Sequence, residues 1–223
     1  MFVGHLGIGL SLKSVEPRIN VGVLLFTSLF LDILLGIFVL LGFEQVLVPE
    51  NYSDIHYLHF SFPYSHSLIA AVFWALIVSV GAYVLLAKEL SSKLKVSALL
   101  GASVFFHWVC DWVEHAPQLP LFGNGSSLLG LGLWNSLEAA LVLEVFLLIM
   151  GMALYIRATK NISSKAKLGM VVFMCVLSGV AVVGKMSVTQ APDQLAIGVS
   201  MVVQALVVCA LAAWIDRPRV KAV

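Results

Sequence analysis

The sequence predicts an all-α protein, a polytopic membrane helix bundle of about six transmembrane helices with a short N-terminal helix that is interfacial or re-entrant. Three observations predict it. The 223 residues are 61% apolar and only 11% charged, with a mean hydropathy of +1.02. Soluble domains are about 45–50% apolar and about 25% charged, and a water-soluble fold of this size has too much surface to hide the excess. Six apolar runs approach the roughly 20 residues that cross a bilayer. Lysines and arginines cluster in alternate connections between those runs.

The runs are 21–43, 67–87, 96–113, 136–155, 168–185 and 195–214. Glycine and proline punctuate them. Pro17 precedes the first, and Pro49 and Pro63 bracket the loop before the second. Pro117, Pro120, Gly123 and Gly125 fill the loop before the fourth, while Pro192 precedes the sixth and Pro218 follows it. Residues 2–12 are apolar but too short to span, at about 1.5 Å per residue. No basic stretch precedes them and no small-residue cleavage site follows, which argues against a cleaved signal peptide. They are expected either to lie on the membrane face or to dip into the interior under cover of other helices. With no internal repeat and no low-complexity tract, residues 1–223 read as one membrane domain.

Alternating six spans puts Lys13, Arg18, Lys88, Lys93, Lys95, Arg157, Lys160, Lys165, Lys167, Arg217, Arg219 and Lys221 on one side. The other side carries Lys185 with Glu44, Glu50, Asp54, Glu114 and Asp193. The positive-inside rule then predicts an inner (cell) membrane protein with both termini in the cytoplasm. A net charge of +1 without a basic, aromatic-laced stripe excludes nucleic acid as a partner. Cys110, Cys175 and Cys209 lie inside apolar runs without a C-x-x-C pair and read as small buried residues.

Ionisable side chains inside a membrane are expensive and point to function. Asp32 lies about 20 Å along the first span from Arg18, His107 about 18 Å from Lys95, Asp111 about 24 Å from Lys95, and Glu144 about 20 Å from Arg157. His107, Asp111 and His115 follow one another at four-residue spacing, which stacks them on one helix face. A histidine and a carboxylate so placed suit a divalent metal, although a lone histidine in an apolar helix is more often packed and hydrogen-bonded. Asp32, His66, His107 and Asp111 come from three helices at compatible depths, and His5 adds a third histidine. The set fits zinc, manganese or iron better than calcium or magnesium, and such an ion would lower the pKa of a water molecule. The excess of groups allows one to act as a base or two ions to share carboxylates.

Tyr64-Ser65-His66-Ser67 follows Pro63 and opens a helix. Ser65 is either a helix cap or the group that bonds the second nitrogen of a ligating His66; a serine nucleophile lacks the glycine-flanked turn it needs. Asn135 and Glu138 have capping-box spacing. Glu144 has no such structural explanation and is a candidate base, supporting partner or proton carrier. His56 and His59 read as exposed loop histidines, and Trp108, Trp112 and Trp134 as an interfacial belt.

The order of Gly4-His5, Asp32, Ser65-His66-Ser67 and His107-x-x-x-Asp111 resembles the bacterial family of membrane-bound metal-dependent hydrolases, also described as LexA-binding, inner-membrane-associated hydrolases. The resemblance covers residues 2–115; the helices in 136–214 match only in being apolar. Two departures are visible. Asp32 stands alone where the family often has P-D-x-D, and Phe62-Pro63-Tyr64 replaces an H-R-G element.

The leading expectation is a metal-dependent hydrolase of an ester or phosphoester. Asp32, His66, His107 and Asp111 would bind a divalent metal, zinc first, with His5 and Glu144 in catalytic roles. The bilayer is the expected partner, and a site open to it favours a lipid or lipid-linked substrate. The alternatives are a proton- or metal-coupled transporter using the same groups as a relay, disfavoured by the lack of an inverted repeat, and a scaffold in which the polar residues only staple helices.

Overall fold

The structure, a computed structural model, describes residues 1–55, 57–85, 92–160, 162–187 and 193–217. His56, Lys88, Pro192, Pro218, Arg219 and Lys221 lie outside the described residues. The chain forms an all-α bundle: α1 (Phe2–Leu12), α2 (Val21–Ser28), α3 (Phe30–Leu40), α4 (Tyr52–Ile55), α5 (Leu68–Leu85), α6 (Lys93–Glu114), α7 (Leu137–Ala158), α8 (Ser164–Ser187) and α9 (Gln194–Ile215). Two short antiparallel pairs, β1 (Gln45–Leu47) with β2 (His59–Ser61) and β3 (Leu119–Pro120) with β4 (Leu128–Leu129), cover one end. Helices α5 to α9 are each long and apolar enough to cross a membrane, and α2 with α3 makes a sixth span if the bent pair counts as one. Large apolar side chains of α5, among them Leu76, Val80 and Val84, point outward. This surface is compatible with a multi-pass membrane protein, because lipid can cover what water cannot.

The first span is not the continuous helix that its apolar run predicts. It breaks at Leu29 and bends by 55°. The hydroxyls of Thr27 and Ser28 donate back to the carbonyls of Leu24 and Leu25 (both 3.0 Å), a pattern that bends helices. The carbonyl of Ser28 turns out of the helix and accepts a hydrogen bond from His107 Nδ1 (2.7 Å). The break therefore has a partner in the protein, as a backbone group inside a membrane requires.

Of the two placements open to residues 2–12, the structure takes the interior one. Helix α1 buries Val3, His5, Leu6, Gly7 and Leu10 among α2, α6 and α7. It can sit there because α1 and α7 meet backbone to backbone. A side chain at Gly7 would strike the Leu147 carbonyl, and one at Gly151 would lie 2.8 Å from Gly7 Cα.

Three readings of single residues change. Cys175 is exposed on α8, whereas Cys209 is buried and Cys110 half-buried, all three as free thiols. Trp108 is buried and donates to the His66 carbonyl (2.8 Å), so it belongs to the core instead of a surface belt. Helix α7 is capped by Ser136, whose hydroxyl accepts from Ala139 N (3.4 Å), and Asn135 ends the short 3-10 turn before it.

At the end opposite the hairpins, Asp216 accepts from Lys13 Nζ (2.6 Å), Val21 N (2.8 Å) and the Tyr155 hydroxyl (3.0 Å). Nearby, Arg18 bonds Glu16 and Ser92, and Lys95 reaches the Val15 carbonyl (3.2 Å). The ends of α1, α7 and α9 and the starts of α2 and α6 thus share one face. Lys13 and Asp216 are both buried, so removing one leaves an uncompensated charge, a loss of about 3–5 kcal/mol. Asp216→Ala is expected to lower the melting temperature in detergent by on the order of 10 °C. A scan that shows no change would mean that water reaches Lys13.

Candidate metal centre

Four elements converge below the hairpins. Helix α6 carries His107 and Asp111 one turn apart, and the loop leading into α5 carries His66. Asp32 sits in the first turn of α3, where the positive end of the helix dipole favours a carboxylate. From α1, His5 reaches the same point.

The hydrogen bonds of the two imidazoles fix what they present to each other. His107 Nδ1 lies against a carbonyl, which can only accept, so that nitrogen carries the proton. Ser65 Oγ donates to Glu44 Oε2 (2.7 Å) and accepts from His66 Nδ1 (2.7 Å), so His66 is protonated on Nδ1 as well. The tautomers are thus assigned from the hydrogen-bond pattern. Both Nε2 lone pairs then point inward, 3.3 Å apart. Asp111 Oδ2 joins them at 3.1 Å from His107 Nε2 and 3.4 Å from His66 Nε2. Asp32 Oδ1 stands 3.8 Å from each imidazole.

Four electron-rich atoms aimed at one point repel unless a cation or protons lie among them. Ligand atoms held tetrahedrally at about 2.0–2.1 Å from zinc are about 3.3 Å apart, which is the spacing of the His66, His107 and Asp111 atoms. The buried set can hold a metal ion. His66, His107 and Asp111 form one group of potential ligands, and His5, Asp32 and His107 form an overlapping one.

Asp111 also holds α1 in place. Its other oxygen, Oδ1, accepts from His5 Nε2 (3.1 Å) and faces the Met1 amino group (3.4 Å). The His5 ring stacks on that of His107 with centroids 3.6 Å apart. His5, His66, His107 and Asp111 are all buried, while Asp32 is 23% exposed on its side chain and faces a cavity.

No protein-family model, curated protein or solved structure matches this chain.

The structure brings together Asp32, His66, His107, Asp111 and His5, and it places Glu144 elsewhere. Glu144 accepts from Val3 N (2.8 Å) and Gly4 N (3.4 Å) at the start of α1 and pairs with Lys185. It serves the orphan amides of a helix N-terminus. Glu114 sits beside it, 2.9 Å from the Met1 amino group.

Two members of the site escaped sequence reading. Ser28 contributes a backbone carbonyl, which carries no side-chain signal. Glu44 looked like one of several acidic residues in an outer loop, yet it is buried. Its Oε1 accepts from Tyr64 N and Ser65 N (both 2.8 Å), and its Oε2 holds Ser65. Burial raises its pKa, against the pull of the donors from Ser65 and Tyr64. The three donors suit a carboxylate. In Glu44→Gln the amide nitrogen would donate to Ser65, turn the serine hydroxyl toward His66 Nδ1, and move the imidazole proton to Nε2. Metal affinity, measured by competition with a chelator, is expected to fall about 10- to 100-fold with the fold intact. Unchanged affinity would show that Glu44 does not set the His66 tautomer.

Proposed function

We propose that this protein is a metal-dependent membrane hydrolase that cleaves an ester or phosphoester bond of a lipid or lipid-linked substrate. The observation that supports this reading most is the pair of imidazoles, each anchored through Nδ1, whose Nε2 atoms meet Asp111 Oδ2 at metal-ligand spacing. The resemblance of residues 2–115 to the LexA-binding, inner-membrane-associated hydrolases points the same way. His66, His107 and Asp111 would hold the ion, with Asp32 as the fourth ligand. Imidazole with carboxylate favours zinc, with manganese or iron as alternatives. Bound there, the ion would supply a Lewis acid that brings the pKa of water near neutrality.

The chain's own residues have distinct parts. Asp32 is the loosest of the four, 3.8 Å from each imidazole and open to the cavity, so it would be the ligand that yields its position to water and then takes the proton. His5 fixes Asp111 so that Oδ2 faces the imidazoles, and Glu144 fixes α1, which carries His5. By the positive-inside rule the basic helix ends face the cytoplasm of a cell membrane, with both termini there and the site toward the opposite side.

The test is hydrolysis of a panel of carboxylic and phosphoric esters, lipid forms included, by purified zinc-loaded protein. Turnover should vanish on chelation, return with the ion, and fall at least about 100-fold in His107→Ala. A loaded protein that cleaves nothing in the panel, or a His107→Ala variant as active as wild type, would set the hydrolase reading aside in favour of a transporter or a stapled scaffold.

A further inference from the structure

A cavity of about 430 Å³ opens beside the candidate metal centre. Asp32, His66 and Asp111 line its inner side, and His115, Trp134 and Lys185 continue the wall. Two of these polar groups are unsatisfied. His115 is only 5% exposed, yet its Nδ1 has no hydrogen-bond partner among the described residues, and its Nε2 stands 4.0 Å from Asp111 Oδ1, beyond hydrogen-bond reach. Trp134 packs its ring over that of His115, with centroids 3.9 Å apart, and its buried Nε1 also lacks a partner. A native protein rarely strands two buried polar groups at one cavity unless a ligand serves them.

The donor chemistry narrows the ligand. Indole Nε1–H and the Lys185 ammonium can only donate, so their complement is an acceptor. Lys185 pairs with Glu144 and lies 4.0 Å from Glu114 Oε1, and its side chain is 30% exposed at the cavity wall. A ligand that bonds Trp134, His115 and Lys185 together needs several acceptor oxygens on one centre. A phosphoryl group has them and a planar carboxylate has two.

The remaining walls are apolar and come from α8 and α9, notably Val180, Ala181, Met201 and Ala205. Val180 is 67% exposed on the outer surface and also lines the cavity, as does the exposed Gln204 on α9. The cavity therefore opens sideways between α8 and α9, onto the apolar face of the bundle.

We infer that this cavity is the headgroup site for the phosphate of a membrane amphiphile, whose oxygens accept from Trp134 and His115 beside Lys185 while its acyl chain leaves between α8 and α9. The inference rests on the proposed hydrolase for what then happens to the phosphate, and on the cavity alone for binding.

The experiment is equilibrium binding of dodecyl phosphate to the full-length protein in a sugar-headgroup detergent, with metal content measured on the same samples. Saturable binding is expected, weakened about tenfold or more in Trp134→Phe, which keeps the ring and loses the N–H, and likewise in His115→Phe. Inorganic phosphate and dodecanol should each bind at least about tenfold more weakly than dodecyl phosphate. Wild-type affinity in Trp134→Phe overturns the inference even if His115→Phe fails to fold. Equal binding of dodecanol or laurate removes the phosphate, and equal binding of inorganic phosphate removes the amphiphile. A protein that holds metal but no dodecyl phosphate defeats this inference alone; one that binds dodecyl phosphate without ever holding metal defeats the hydrolase reading alone.

Discussion

Asp111→Asn is expected to abolish metal binding while leaving the fold intact. Wild-type protein purified in detergent and reloaded should carry about one equivalent of zinc, manganese or iron at a site with this ligand set. The aspartate has two separate duties, since Oδ1 faces α1 and Oδ2 faces the imidazoles. Asparagine can keep its carbonyl toward His5 and turn its amide nitrogen toward the two Nε2 lone pairs. That nitrogen donates where an ion would accept, so the variant satisfies the cluster without metal. Wild type should lose thermal stability on chelation, because an ion that binds only the folded state adds about 4 kcal/mol at a free concentration about a thousandfold above Kd. Asp111→Asn should melt at the same temperature with and without chelator. Plasma mass spectrometry on both proteins and paired thermal scans decide the matter. Wild type that holds no metal after reloading, and melts unchanged in chelator, would make the cluster a proton-sharing staple between helices.

Gly151→Leu is expected to leave little folded protein, and Gly151→Ala to weaken both stability and the site. A Cβ at position 151 meets backbone, with Gly7 Cα at 2.8 Å and the Gly7 carbonyl closer still. No side-chain rotation relieves such a contact, so α1 must move off α7. Overpacking of this kind costs about 1–3 kcal/mol, and more where neighbours cannot yield. The displacement reaches the site directly, because α1 carries His5 and is pinned by Glu144 at Val3 N. Metal affinity should therefore fall in Gly151→Ala although the residue touches no ligand. Gly179→Ala in α8 is the control: a Cβ there meets nothing within 4 Å, and alanine favours the helix. If both alanine variants melt and bind metal alike, the α1–α7 backbones are not in close contact at Gly7 and Gly151.

The residues that could be read in advance share one property, which is that their signal is local. An apolar run long enough to span reports itself, as do the prolines and glycines between spans and the basic ends, of which Lys13, Arg18 and Lys95 meet on one face. His107 and Asp111 could be paired because four residues make one helical turn. Their partners Asp32 and His66 lie at a matching depth, which the rise per residue supplies.

Other members had no local mark. Burial of Glu44 depends on the chain returning 21 residues later to place Ser65 against it. Ser28 offers its carbonyl only because the span breaks there and His107 arrives from another helix. Glu144 sits at a depth that suits catalysis, and only the docking of α1 shows that it holds a helix end. His115 continues the helical spacing of Asp111, but its unpartnered nitrogen is visible only once Trp134 covers its ring.

Hydropathy and helical periodicity by themselves determined that this is an all-α bundle with five to six apolar spans, and which histidines and aspartates can share a depth. Those quantities sum over neighbours along one helix. The tertiary structure alone decided that α1 lies inside the bundle, that the first span breaks at Leu29, and which nitrogen of each imidazole faces the centre. Each of these depends on a hydrogen bond or a backbone contact between segments far apart in the chain, and no local pattern encodes such a meeting.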